Sequence, residues 1–191
     1  MNLLADLMLA IVAFASTNVD DLFVLMAFFS DRGTRTSQVV VGQFAGIAAL
    51  TAISGMAALV SLVIPAPYLG LLGFAPIAIG VRRLLGLRGQ TADEARPLAR
   101  SGALAVVAAT MATGGDNIAV YTSMFATQKP AQIALTVAIC APMTAIWCFL
   151  AHSLISQPAM EAPIRRWGSV VLPFVLIGFG LLVVYKASLM S

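Results

Sequence analysis

Charge is scarce in this chain. Only 10% of its 191 residues are Asp, Glu, Lys or Arg, against about a quarter in a soluble domain, and that excludes an ordinary water-soluble fold. Cysteine is nearly absent too. Cys140 and Cys148 stand eight apart in one apolar block, too far along a helix to bridge each other and not in a CxxC arrangement, so they exclude a thiol relay and leave the redox compartment open. No GxxxxGK[ST] loop and no soluble nucleotide domain occur, which argues against ATP-driven pumping by this chain alone. The net charge of +3 brings no basic run interleaved with aromatics, so nucleic acid is not an expected partner.

What is present is apolar surface. Hydrophobic residues make up 60% of the chain and the mean hydropathy is +0.96, with blocks of about 20 residues, the length a helix needs to cross a bilayer. Six spans are expected: Leu3 to Phe29, Val39 to Ile64, Tyr68 to Leu87, Ala103 to Ala126, Ile133 to Ile155 and Trp167 to Tyr185. The start, Met1-Asn2-Leu3-Leu4, lacks a basic n-region, so the first span is read as a retained helix. Only the connection from Arg88 to Ser101 is long. It divides one membrane domain into a first repeat, 3–87, a cytoplasmic linker, 88–101, and a second repeat, 102–188.

The basic residues are unevenly placed. Arg32, Arg35, Arg82, Arg83, Arg88, Arg96, Arg100, Arg165 and Arg166 fall on one side of a six-span layout and Lys129 and Lys186 on the other. The positive-inside rule makes the arginine side cytoplasmic and both termini external.

Displacing the second half by 96 positions lays TGGDNIAV (Thr113 to Val120) on TNVDDLFV (Thr17 to Val24), with Thr over Thr, Asp116 over Asp20, Asn117 over Asp21 and Val over Val. Pro173 falls near Pro76 in the same way. A unit of three spans reverses orientation in its second copy, so the fold class expected is an all-α membrane protein of six transmembrane helices in two inverted three-helix repeats. Inverted halves with interrupted helices meeting at the bilayer centre are an arrangement of many secondary transporters. Both motifs read as interruptions: Gly114-Gly115 weakens a helix, and Ser16-Thr17-Asn18 offers side chains that compete with the backbone ladder. The carbonyls freed there are expected to become ligands.

Three acids, Asp20, Asp21 and Asp116, lie deep in these spans, each costing about 2.5 to 3.5 kcal/mol at a helix centre, and no Arg or Lys lies in a span interior. Either they are protonated and tie helices together, or a cation supplies the missing charge; the cation is the stronger reading. Carboxylate, amide and hydroxyl oxygens suit hard divalent ions such as Mn²⁺, Ca²⁺ or Mg²⁺, whereas Cd²⁺ favours thiolate. Proton uptake by the carboxylates on metal release would couple the two fluxes.

FASTNVDDLFVLMAFF (Phe14 to Phe29) and TGGDNIAVYTSMFA (Thr113 to Ala126), with GQFAG (Gly42 to Gly46) and AIWCFLAH (Ala145 to His152), resemble the cadmium resistance transporter family of the lysine-exporter superfamily. The resemblance implies a bacterial inner-membrane protein that exports cadmium or a related divalent ion by secondary transport, and it is not an enzyme family. Carried over by residue, the matching positions are Thr17, Asn18, Asp20, Asp21, Gly114, Gly115, Asp116 and Asn117. The expected site takes Asp20 and Asp116 as charged ligands, Asp21 and Asn117 as supporting ligands or proton carriers, and Thr17, Asn18, Thr113 and Gly114 as neutral donors. No cofactor is expected beyond the transported cation. The expected partners are that cation, protons and the lipid bilayer, and a homodimer is left open.

Cys148 and His152, four apart, are read either as soft and borderline ligands on one face or as packing residues, and Tyr121 as a hydrogen-bonding neighbour. Two rivals stand beside metal efflux. An amino-acid exporter would use the acids for an ammonium group and the glycines for a carboxylate. An intramembrane aspartyl protease needs two facing carboxylates, but here Thr113 stands where its GxGD pattern has glycine.

Overall fold

The computed structural model describes residues 3–61 and 102–155, with single positions between 74 and 85 and between 174 and 185. Every described element is helical: α1 (Leu3–Thr17), α2 (Val19–Ser30), α3 (Thr36–Ser61), α4 (Ala103–Thr113), α5 (Gly115–Thr127) and α6 (Pro130–Ile155). The expected third and sixth spans fall largely outside the described residues, although Phe74, Ile77, Ala78, Val81, Phe174 and Ile177 are helical. The 88–101 linker lies outside them altogether.

Two helices, α3 and α6, are long and apolar enough to cross a membrane alone. Each runs 26 residues, about 39 Å at 1.5 Å per residue, which exceeds the roughly 30 Å hydrocarbon core. Both start on the same device. The Arg35 N–H donates to Gln38 Oε1 at 3.0 Å and the Lys129 N–H to Gln132 Oε1 at 2.9 Å, a side chain in the first turn reaching back to the residue that precedes the helix.

Two further candidate spans are bent pairs. α1 and α2 meet at 56° about Asn18, and α4 and α5 meet at 66° about Gly114. The breaks fall 96 residues apart, the displacement that aligns the two sequence motifs. Each pair passes the membrane test only when taken as one span.

Packing exchanges the halves: α3 lies chiefly against α4 and α5, and α6 against α1 and α2. The GQFAG segment makes the first of these contacts close. A Cβ on Gly42 would sit 2.6 Å from the Ala103 carbonyl oxygen, and one on Gly46 2.9 Å from the Thr110 Cβ, so this small-xxx-small face lets two membrane helices approach nearly backbone to backbone.

Two apolar clusters form the core. One joins Ala13, Phe14, Ile47, Leu50, Tyr121 and Met143; the other joins Leu22, Phe28, Val39, Val106, Ala109 and Ala151. Along α1–α2 the chain passes from the first cluster through Thr17 to Asp21 and into the second. Along α3 it returns, from Val39 past Gln43 to Leu50. The α4–α5 pair runs from the second cluster to the first, and α6 runs back. The polar residues therefore form a layer between two apolar ends, with the Gly102 N–H donating to Thr34 Oγ1 at 3.3 Å at one end and Gln132 Nε2 to Asp6 Oδ1 at 2.7 Å at the other.

Candidate metal-transport site

The layer is built at the two breaks. Thr17 ends α1, and its hydroxyl lies 2.9 Å from the Ala13 carbonyl, 3.4 Å from the Phe14 carbonyl and 2.6 Å from Asn117 Oδ1. Thr113 ends α4, and its hydroxyl lies 3.1 Å from the Ala109 carbonyl, 3.3 Å from the Thr110 carbonyl and 3.0 Å from Asp21 Oδ1. Every atom in the second set is the 96-residue counterpart of one in the first. Each threonine thus reaches across to the other motif, to the residue aligned with the acid or amide four positions after itself.

Asn18, fully buried, sits at the centre of the first break. Its Nδ2 donates to the Phe14 carbonyl at 2.8 Å and to Asn117 Oδ1 at 3.0 Å, while its own carbonyl accepts from Trp147 Nε1 at 2.7 Å and from the Leu22 N–H at 3.3 Å. At the first break the carbonyls of Ala13, Phe14 and Asn18 each accept a side-chain donor, which is how buried backbone oxygens are satisfied in a membrane interior. Gly114 behaves alike. Its carbonyl accepts from the Ile118 N–H at 3.0 Å, and its bare Cα is set against the Leu50 side chain.

Asp21 is buried and doubly held. Gln43 Nε2 donates to Oδ2 at 2.6 Å and Thr113 to Oδ1 at 3.0 Å, while Thr110 Oγ1 donates to Gln43 Oε1 at 2.7 Å and fixes the amide's orientation. Asp116 is also buried, and its Oδ1 accepts from the Asn117 N–H at 3.0 Å. Asp20 is half-buried. All three acids fall in the first turn after a break, Asp20 and Asp21 on α2 and Asp116 on α5. A helix N-terminus carries roughly half a positive charge, so the breaks supply to the carboxylates part of what an arginine would have supplied.

The structure therefore brings together Thr17, Asn18 and Asn117, and separately Thr113 and Asp21. It does not close the three acids into one cage: among the described residues no three His, Cys, Asp or Glu side chains are placed to hold an ion together. Any metal held here takes amide and hydroxyl oxygens as well, as hard cations do.

Three residues outside the motifs complete the layer: Gln43, Thr110 and Trp147. The signal of the first was available. Gln43 is an amide inside a 26-residue apolar helix and lies between the two glycines of a close-packing face, where a buried polar group demands a partner. The Cys148 and His152 pair does not converge. Cys148 is buried in the second cluster, whereas His152 is exposed and meets the Phe29 ring edge-on at 5.2 Å.

Broken apolar helices meeting in a polar layer fit a helical membrane protein. Residues 14–191 match the family described as cadmium resistance transporter, and the chain belongs to that family. No curated protein and no solved structure matches it.

Proposed function

We propose that this protein exports a divalent cation from the cytoplasm by alternating access about the polar layer, with Asp20 and Asp116 as the charged ligands. The crossed threonine contacts carry this reading: two motifs 96 residues apart meet with matching geometry, as expected where two half-sites share one ion. Asp21, held by Gln43 and Thr113, then serves as a supporting ligand and proton carrier, with Asn117, Thr17, Asn18 and Thr113 as neutral oxygen donors and Gly114 at the second break.

The order of the clusters supports inverted repeats. The first broken span and α6 run one way through the layer; α3 and the second broken span run the other way. The end of α3 and the start of α4 lie at opposite ends of the layer, which supports the expected third span, and the 96-residue repeat carries the expectation of a sixth. With Arg32 and Arg35 exposed beside the second cluster, that end is the cytoplasmic one and both termini are outside.

Expression in a metal-sensitive bacterial strain tests the reading. Tolerance to at least one ion among Cd²⁺, Zn²⁺ and Mn²⁺ rises with the wild-type chain and returns to baseline with Asp20→Asn or Asp116→Asn. Unchanged tolerance in both variants at equal membrane abundance contradicts the site.

A further inference from the structure

The polar layer offers oxygen and amide groups, whereas a soft cation gains most from a thiolate. One thiol lies next to the layer. Cys140 is buried on α6, in the apolar cluster that also holds Tyr121, and it lines one cleft with Thr51. Tyr121 is fully buried and its hydroxyl has no hydrogen-bond partner among the described residues. An unsatisfied hydroxyl in a membrane interior lacks a partner, and this one shares its cluster with Phe14, one turn before the first break, and with Cys140. Thr51 spends its own proton on the Ile47 carbonyl at 2.7 Å, which leaves its oxygen lone pairs available.

The thiol can also be reached. A cleft of about 410 Å³ between α3 and α6 is lined by Thr51, Cys140, Thr144 and Phe125 among apolar side chains. Cys148 is placed differently. It packs among the apolar side chains of the second cluster and does not line this cleft.

We propose that Cys140, with the Tyr121 and Thr51 hydroxyls, forms a soft subsite for the transported metal beside the Thr17–Asn18–Asn117 junction, and that it selects cadmium-like ions over hard ones. This rests on the transport reading above. On binding, the Cys140 sulfur loses its proton to water in the cleft and bonds the metal through the freed electron pair, so one proton leaves for each thiolate–metal bond formed. The two hydroxyls add neutral oxygen donors without losing protons.

The test uses the full-length protein in detergent, titrated with Cd²⁺ and with Mn²⁺. Wild type develops the ultraviolet thiolate-to-cadmium charge-transfer band. Cys140→Ser loses it and binds Cd²⁺ about tenfold or more weaker with Mn²⁺ affinity unchanged, while Cys148→Ser keeps the band. A band that persists in Cys140→Ser, or is lost only in Cys148→Ser, overturns the subsite. Should Cys140→Ser not fold, alkylation of the wild-type protein answers the same question: Cd²⁺ slows maleimide labelling of Cys140 and Mn²⁺ does not, and equal labelling with and without Cd²⁺ refutes the assignment. Metal flux that still depends on Asp116 while Cys140 proves irrelevant defeats the subsite and leaves the transport reading standing.

Discussion

The Thr17 hydroxyl lies 2.6 Å from Asn117 Oδ1 and ties the break in one membrane helix to the break in the other. Its counterpart, Thr113 to Asp21, spans 3.0 Å in the reverse sense. Both contacts are buried or nearly so, where a hydrogen bond contributes about 1 kcal/mol and leaving its acceptor unpaired costs about 1 to 3 kcal/mol. A double-mutant cycle of Thr17→Val and Asn117→Ala, read by thermal unfolding in detergent, is expected to show a coupling of about 1 kcal/mol. Strictly additive losses would mean that the two breaks are not joined through this pair.

Gln43 holds the other side of the layer. Gln43→Leu removes the donor to Asp21 Oδ2 and the acceptor for Thr110, leaving a buried carboxylate half-satisfied. Metal affinity is expected to fall about 10- to 100-fold, the usual consequence of losing a group that orients a ligand, with the protein still inserted and folded. Equilibrium dialysis with the metal that wild type binds best checks this; unchanged affinity would detach Gln43 and Asp21 from the site.

The glycines of α3 separate packing from chemistry. Gly46→Leu drives a side chain into Thr110, whereas the Cβ that Gly55→Leu adds meets no described residue within 4 Å. The first variant is expected to lose folded protein or at least several degrees of thermal stability, as overpacking costs typically about 1 to 3 kcal/mol, and the second to resemble wild type. Equal behaviour of the two would contradict the close α3–α4 approach.

Outside the apolar layer, the α2–α3 loop is organised by a carboxylate. Asp31 accepts from the Gly33 N–H at 3.1 Å and the Thr34 hydroxyl at 2.8 Å, and these bonds, the Gly33 one foremost, hold its pKa below the ordinary 3.8. A lowered folded pKa means that the loop's stabilisation is complete above the ordinary value and is lost as pH falls through the lower folded one. The Gly33 and Thr34 amide resonances are expected to titrate with a midpoint below 3.8 in wild type and not at all in Asp31→Asn. A midpoint at or above the ordinary value would show that the carboxylate is not engaged.

Much of this was legible in the sequence. The 96-residue displacement located both breaks, at Asn18 and Gly114, because each motif combines weak helix formers with side chains that compete for backbone hydrogen bonds. It also laid Thr113 on Thr17 and Asn117 on Asp21, the four side chains that the crossed contacts join. The exchange of α3 and α6 between halves was not legible. Helix partners in a membrane are chosen by shape, and only the GQFAG face carried a hint of one. Trp147 escaped notice because an indole reads as apolar until a carbonyl, here that of Asn18, lies within its reach. The soft ligand was sought four residues apart at Cys148 and His152, yet one side chain is buried and the other exposed, so helical spacing alone did not make them converge.

The central claim is that the acids after the two breaks hold a moving cation, and metal flux into proteoliposomes tests it most directly. With a pH gradient imposed, vesicles carrying the wild-type chain accumulate Cd²⁺ or a related divalent ion, and removing the gradient reduces the flux. Asp116→Asn and Asp20→Asn vesicles with equal protein content are expected to accumulate no more than empty ones. Wild-type flux in both variants would contradict the account.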